Sequence, residues 1–478
     1  MGAERKNSIS KNVFHLFYST AFSSGLNALS LVILASYLGS QSYGMFSVAL
    51  AFALIMGYFT DTGISVAALR EGAKRGVSVP AVISSYIKIR LALLGITLIG
   101  GFFLIQLLYQ GSTELIRMMY CLIFPMVTGL AMQGISVTYF QLTEEMQYLG
   151  FIRISSASLL IIFICLGMTF SMEPNVICFL YGSSYLLAGI GGLCLTAMRV
   201  TIRFRSAFHK GLLKNIVPFI ISGLLIVILP QLGPILLEKT LTLKQVGLFA
   251  VAYRIPSALY QIPGVLAGAF YPALFKSYNG KGATEHLQLN LTQLKIMALL
   301  GVTMMVPLYY MPEIIISVLF GDKWLSASIG LRILSFLLLL QSINIALADG
   351  MTTRNLQSRR TIVQAMAVVG GIGLYTFFSQ KYGVTGAAFA GAAIELLSLA
   401  GFWLLNPARV TIAKKALLPY LSFFALIFVV ITYFFSKWPF LAAILHLLCL
   451  LFFAASDREL SHKLISIMLK KLHFKKRG

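Results

Sequence analysis

The chain has 478 residues, of which 58% are hydrophobic and only 11% charged, with a formal net charge of +23. A soluble domain carries about 25% charged residues, so this composition excludes a soluble enzyme or regulatory module and indicates an all-α polytopic membrane protein. Nucleic-acid partners require a basic patch, but here the cations fall between hydrophobic segments, so no nucleic acid is expected and their placement reports topology.

The start, MGAERKNSISKN, is polar and basic, and the apolar run behind it has no small-residue cleavage site, so a retained first helix is expected. Hydropathy and helix breakers predict about fourteen transmembrane helices. They run approximately over 12–38, 44–69, 82–109, 114–140, 151–170, 175–198, 213–237, 245–275, 287–310, 325–348, 361–379, 384–405, 416–436 and 438–455. With both termini in the cytoplasm, about 30 of the 38 Lys and Arg residues sit at inner ends, as the positive-inside rule requires. Arg90, Arg153 and Arg360 are among the cations assigned to those ends. One helix more or fewer would reverse every loop downstream.

An internal repeat joins the second span to the eighth. LGSQSYGMFSVA, Leu38 to Ala49, aligns without gaps on LTLKQVGLFAVA, Leu241 to Ala252, with Gly44/Gly247, Phe46/Phe249, Val48/Val251 and Ala49/Ala252 identical at an offset of 203 residues. That offset equals six spans, an even number, so the copies share one orientation. Two six-helix lobes related by a parallel pseudo-repeat follow, over 1–205 and 206–410, with two additional helices over 411–455. The tail, 456–478, places Leu460, Leu464, Ile467, Met468 and Leu472 at helical spacing among basic residues, an interfacial helix for anionic membrane lipids.

The stretch from Lys244 to Phe275 is long enough to cross a bilayer, yet it carries Arg254 about 10 residues, or roughly 15 Å, from its start. A guanidinium at that depth costs from about 2.5 to over 10 kcal/mol when it faces lipid, so Arg254 is expected to face protein or water. Pro256, Pro263 and Pro272 each remove a helical hydrogen bond, which a helix lining a polar chamber tolerates better than one facing lipid. Arg332 and Arg117 are further chamber cations, with packing under the FGDKW loop and anchoring at the outer interface as the competing roles. Acidic residues within spans are few. Asp61, Glu395 and Asp349 are read either as coupling sites or as ion partners, including for Arg254. Tyr253, Tyr260 and Tyr271 offer rings that stack on sugar faces or pack in a core. His446, in the last span, is expected to pack.

The five cysteines, Cys121, Cys165, Cys178, Cys194 and Cys449, lie in apolar runs without metal-ligand spacing, so no metal site and no disulfide framework is expected. There is no GxxxxGK[ST] and no HExxH, and no loop exceeds about 20 residues, so no nucleotide, no cofactor and no catalytic residues are expected. A membrane glycan polymerase or ligase stays as the enzyme alternative.

Three stretches carry a family resemblance: SYLGSQSYGMFSVALAFALIMGYFTDTGISVAALRE, PEIIISVLFGDKWLSASIGLRILSF and YGVTGAAFAGAAIE. In order and spacing they resemble polysaccharide transporters of the multidrug/oligosaccharidyl-lipid/polysaccharide exporter superfamily. The resemblance implies a flippase that passes undecaprenyl-diphosphate-linked oligosaccharide across the bacterial inner membrane by alternating access of two helical bundles, with O-antigen, capsule or exopolysaccharide as product and polysaccharide polymerase machinery as a downstream partner. It also implies an essential cation in the eighth helix, where Arg254 stands. Related flippases often carry Arg in the first helix; this chain offers His15, Tyr18 and Asn27 there, and His15 is the candidate sugar contact. A multidrug exporter of the same superfamily is the alternative, disfavoured because a cationic drug calls for carboxylates and the spans hold more cations.

Overall fold

Inside hydrocarbon a backbone finds its hydrogen-bond partners within its own segment or in a closed barrel. The computed structural model describes residues 2–74, 76–201, 208–214 and 216–457, and every regular element among them is helical. In order these are α1 (Gly2–Tyr37), α2 (Ser40–Phe59), α3 (Ile64–Gly72), α4 (Val79–Leu108), α5 (Thr113–Leu142), α6 (Met146–Thr169) and α7 (Pro174–Ala197). Then follow α8 (Val217–Thr240), α9 (Leu243–Leu259), α10 (Gln261–Lys281), α11 (Ala283–Tyr310), α12 (Pro312–Phe320), α13 (Ser328–Leu334) and α14 (Phe336–Thr352). The chain closes with α15 (Gln357–Leu404), α16 (Arg409–Ile412), α17 (Leu418–Phe435) and α18 (Pro439–Ser456). The tail beyond residue 457 and Arg205 lie outside the described residues.

Thirteen described stretches are long and apolar enough to cross a membrane. One of them, α15, has 48 residues, or about 72 Å of helix against a hydrocarbon core of about 30 Å. Gly383, at φ 60° and ψ −140°, interrupts it, so α15 comprises two passes and the total is the fourteen expected. The second predicted span is also broken. Thr62 (φ 46°) and Gly63 (φ 78°) take left-handed conformations that end α2 and restart the chain as α3, so Asp61 stands in a turn and not on a helix face.

By internal contacts the chain forms two compact units, Met1–Val251 with Tyr375–Val384, and Ala252–Leu374 with Thr385–Gly478. In the first, α5 packs along α7 and α1 along α6, while α2 packs on α5 and α8. In the second, α11 is central, with α10, α14 and α18 around it. The last helices are tied to it by polar contacts. The Tyr310 hydroxyl lies 3.3 Å from Nδ1 of the buried His446, and Asp457 accepts Lys295 Nζ at 2.9 Å and the Tyr420 hydroxyl at 2.7 Å.

The repeat is visible in the first unit as a reciprocal contact between α2 and α9. A Cβ on Gly44 would strike the Leu243 carbonyl oxygen and come within 3.1 Å of the Gly247 nitrogen. A Cβ on Gly247 would strike the Ser40 carbonyl oxygen and come within 3.2 Å of the Gly44 nitrogen. Ser40 and Leu243 are themselves 203 residues apart, so each glycine rests on the other copy's equivalent turn. This is the self-complementary contact of a local two-fold axis, here between two copies in one chain.

Gly44→Ala and Gly247→Ala should each lower the unfolding midpoint of the purified protein, since overpacking costs about 1–3 kcal/mol. Combined, they should cost less than the sum, because one separation of the helices relieves both clashes. Fully additive losses would show two independent contacts.

Candidate functional site

The span that carries Arg254 is broken where its prolines require. Without N–H groups, Pro256 and Pro263 leave the carbonyls of Ala252 and Leu259 without their i+4 donors, and the helix is interrupted at Tyr260, between α9 and α10. Arg254 lies on the Pro256 side of the break. It is half-buried, its Nε is buried without a hydrogen-bond partner, and among the described residues its guanidinium forms no ion pair.

A carboxylate in the same unit is equally without an opposite charge. Glu395, on the second half of α15, accepts Gln341 Nε2 at 2.9 Å on one oxygen and Asn344 Nδ2 at 2.8 Å on the other. Both amides come from α14, which fixes the carboxylate by neutral donors and leaves its charge uncompensated by any ion pair among the described residues. The Tyr253 phenol lies in the field of both Glu395 and Arg254, and Tyr260 in the field of Glu395, Asp349 and Arg360. Asp349, buried on α14, accepts Gln293 Nε2 at 3.0 Å. Arg360 donates to Thr352 Oγ1 at 3.0 Å, and with Asp349 it acts on Tyr271. Arg254 and Glu395 thus both act on Tyr253, and Glu395, Asp349 and Arg360 on Tyr260, while Gln341, Asn344 and Gln293 are the neutral donors to the two carboxylates. Hydropathy alone places Arg360 at an inner loop end.

Asp61 has a different partner from the one expected. Arg90, from α4, pairs with its Oδ1 at 2.5 Å, the Tyr86 hydroxyl donates to the same oxygen at 2.9 Å, and Ser65 Oγ donates to Oδ2 at 2.6 Å. Arg90 also donates to Tyr86 Oη and to the Leu130 carbonyl, and Gly134 of α5 leaves the space its guanidinium occupies. Asp61 is therefore the ion partner of Arg90, a pair that locks α3, α4 and α5 together. Residues four apart on one helix face, Tyr86 and Arg90, are the sequence signal that could have pointed to it.

The remaining candidates are dispersed. Arg332 pairs with Glu313 at 2.8 Å, both about half-exposed. Arg117 is exposed on the first turns of α5, and His15 is half-buried on α1. Among the described residues no group of His, Cys, Asp and Glu could hold a metal ion.

Fourteen passes long and apolar enough to cross a membrane, some of them carrying buried or half-buried charges, define a multi-pass membrane protein. The family model of polysaccharide biosynthesis proteins matches residues 9–278, more than half of the chain, and the protein belongs to that family. Its fold is similar to that of solved membrane transporters. A lipid II flippase, MurJ, in an inward closed conformation is similar with a TM-score of 0.67 at 17% identity, over 92% of this chain and 98% of that one. An inward-facing multidrug resistance transporter of the MATE family is similar with a TM-score of 0.67 at 16% identity, over 82% and 95%. The MATE multidrug transporter DinF-BH gives 0.60 at 16%, over 84% and 94%. Among curated protein sequences there is no significant match.

Asp61→Asn should sharply reduce the amount of folded protein in the membrane, because it leaves Arg90 buried and unpaired at a cost of about 3–5 kcal/mol. Adding Arg90→Gln should restore most of it. Arg254→Ala, which orphans no carboxylate, should leave the amount near wild type; quantitative blotting of membranes and unfolding midpoints in detergent measure all three.

Proposed function

We propose that the protein is a flippase that moves undecaprenyl-diphosphate-linked oligosaccharide units from the inner to the outer leaflet of the bacterial cytoplasmic membrane, for polysaccharide biosynthesis. The carrying observation is the unpaired, half-buried guanidinium of Arg254 beside a proline break in a membrane span, in a chain of the polysaccharide biosynthesis family. A diphosphate crossing about 30 Å of hydrocarbon needs cations along its path, and a guanidinium meets its oxygens bidentately while keeping its charge. The fold likeness to a lipid II flippase supports the same reading.

In this reading the repeat halves are two lobes that alternate in access, with α2 and α9 as equivalent helices. Tyr253 and Tyr260 contact sugar. Glu395 and Asp349 remain for coupling to a proton or sodium gradient, since Asp61 is engaged by Arg90. Anionic lipids hold the basic tail, and polysaccharide polymerase machinery takes the product.

An exporter of amphiphilic cations is the second reading, favoured by the MATE likeness and by Glu395, a carboxylate without an ion pair among the described residues. The two separate in proteoliposomes. Arg254→Ala should abolish flipping of a polyprenyl-diphosphate sugar, and Arg254→Lys, which keeps the charge but loses the fork, should be intermediate. Wild-type protein that moves a cationic dye and ignores the lipid-linked sugar reverses the order of the readings.

Topology has its own test. Cysteines at Ser42, Lys323 and Lys437 should react with an impermeant thiol reagent added to intact cells, and one at the exposed Arg359 should react only after permeabilisation. Labelling of Arg359→Cys in intact cells would overturn the assignment of the inner side.

A further inference from the structure

The cations of the spans differ in their partners, and one that hydropathy assigns to a loop end stands apart. Arg90 is matched by Asp61, Lys295 by Asp457 and Arg332 by Glu313. Three half-buried guanidiniums within spans form no ion pair among the described residues: Arg254 and Arg360 in the second compact unit, and Arg153 in the first.

Arg153 lies seven residues past the start of α6, about 10 Å along it. One NH1 proton goes to Thr20 Oγ1 of α1 at 2.8 Å, the single side-chain hydrogen bond of this guanidinium among the described residues. The neighbouring turn fixes that geometry. A Cβ on Gly150 would come within 2.9 Å of Ser19 Cβ, so α1 and α6 approach closely there and hold Thr20 beside Arg153. A snorkelling arginine runs to the headgroups, whereas this one turns to a neighbouring helix. Its own helix continues the polar face inward: Ser156, one turn on, is buried and accepts Gln133 Nε2 of α5 at 3.2 Å.

We infer that Arg153, oriented by Thr20, is an anion-binding residue of the first unit and takes the phosphate oxygens of a lipid-linked phosphate. The inference rests on the flippase reading. A guanidinium has five N–H donors and Thr20 accepts one, so a face of the fork stays open for two parallel bonds to a phosphate. No carboxylate competes for it among the described residues.

The test is binding to the full-length protein in nanodiscs of neutral phosphatidylcholine, titrated with undecaprenyl diphosphate, with the uncharged alcohol undecaprenol, and with phosphatidylglycerol. Arg153→Gln should weaken undecaprenyl diphosphate about tenfold or more, as expected for a charge-assisted bond, and leave undecaprenol and the unfolding midpoint unchanged. Arg153→Lys should lose less. Unchanged diphosphate binding by Arg153→Gln overturns the inference, as does a loss equal for the alcohol, or one confined to phosphatidylglycerol, which assigns the residue to bulk lipid headgroups. If Arg153→Gln fails to insert, Arg153→Lys decides: weakened diphosphate binding with undecaprenol unchanged supports the role, and wild-type diphosphate binding ends it. Wild-type protein that binds neither polyprenyl probe but takes up an amphiphilic cation overturns the flippase reading itself, and the Arg153 role with it.

Discussion

A fixed charge inside a bilayer has to be matched by an opposite charge, by water or by a ligand, and that constraint divides the interior of this protein into two kinds of site. The first kind is structural. Arg90 and Asp61 cancel each other at 2.5 Å with hydroxyls on the remaining lone pairs, which is the condition for a buried pair to be tolerated. Lys295, Asp457 and Tyr420 do the same for the last helices. The second kind is left open. Glu395 is held by two neutral amides, and Arg254 by no side chain among the described residues.

Polar function and helix interruption coincide because both need a backbone that does not run as one closed hydrogen-bond ladder. The left-handed Thr62 and Gly63 follow Asp61 directly, and Ser65 can then place both its amide and its hydroxyl on the carboxylate, at 3.2 Å and 2.6 Å. In the eighth span the Pro256 and Pro263 vacancies flank Tyr260, whose phenol feels the charges of Glu395, Asp349 and Arg360. Carbonyls freed by proline are polar surface in their own right, and a segment with such surface is stable only where protein or water covers it.

Much of this was legible in the sequence, for physical reasons that also explain the rest. Span number and order follow from hydropathy, because length and apolarity are the whole requirement for crossing. Gly44 and Gly247 could be found because a backbone-to-backbone crossing admits no other residue, so both copies kept it at the same offset. The partner of Asp61 could not be found the same way. Arg90 lies 11 residues past the start of α4, yet the positive-inside rule counts it among the cations of an inner end, where it raises no question. Arg153 and Arg360 were hidden for the same reason. Hydropathy starts the fifth span at residue 151, two residues before Arg153, but α6 begins at Met146, seven residues before it. A charge at a span's edge in the sequence is thus ambiguous between a topological marker and a functional cation, and only its partner decides.

That partner also limits what an anion can take. A diphosphate approaching Arg90 would have to displace a carboxylate already at hydrogen-bonding distance and leave Asp61 buried and unpaired, at about 3–5 kcal/mol. Arg254 presents no such competitor among the described residues, so an arriving anion gains the attraction without that penalty. Transport adds a further condition, since a cation that binds too tightly retains its cargo. A guanidinium that is only half-buried attracts an anion less than the same group would in dry protein, where the effective dielectric is lowest. On the proposed reading, the partial exposure of Arg254 beside the break at Tyr260 therefore serves release as well as binding.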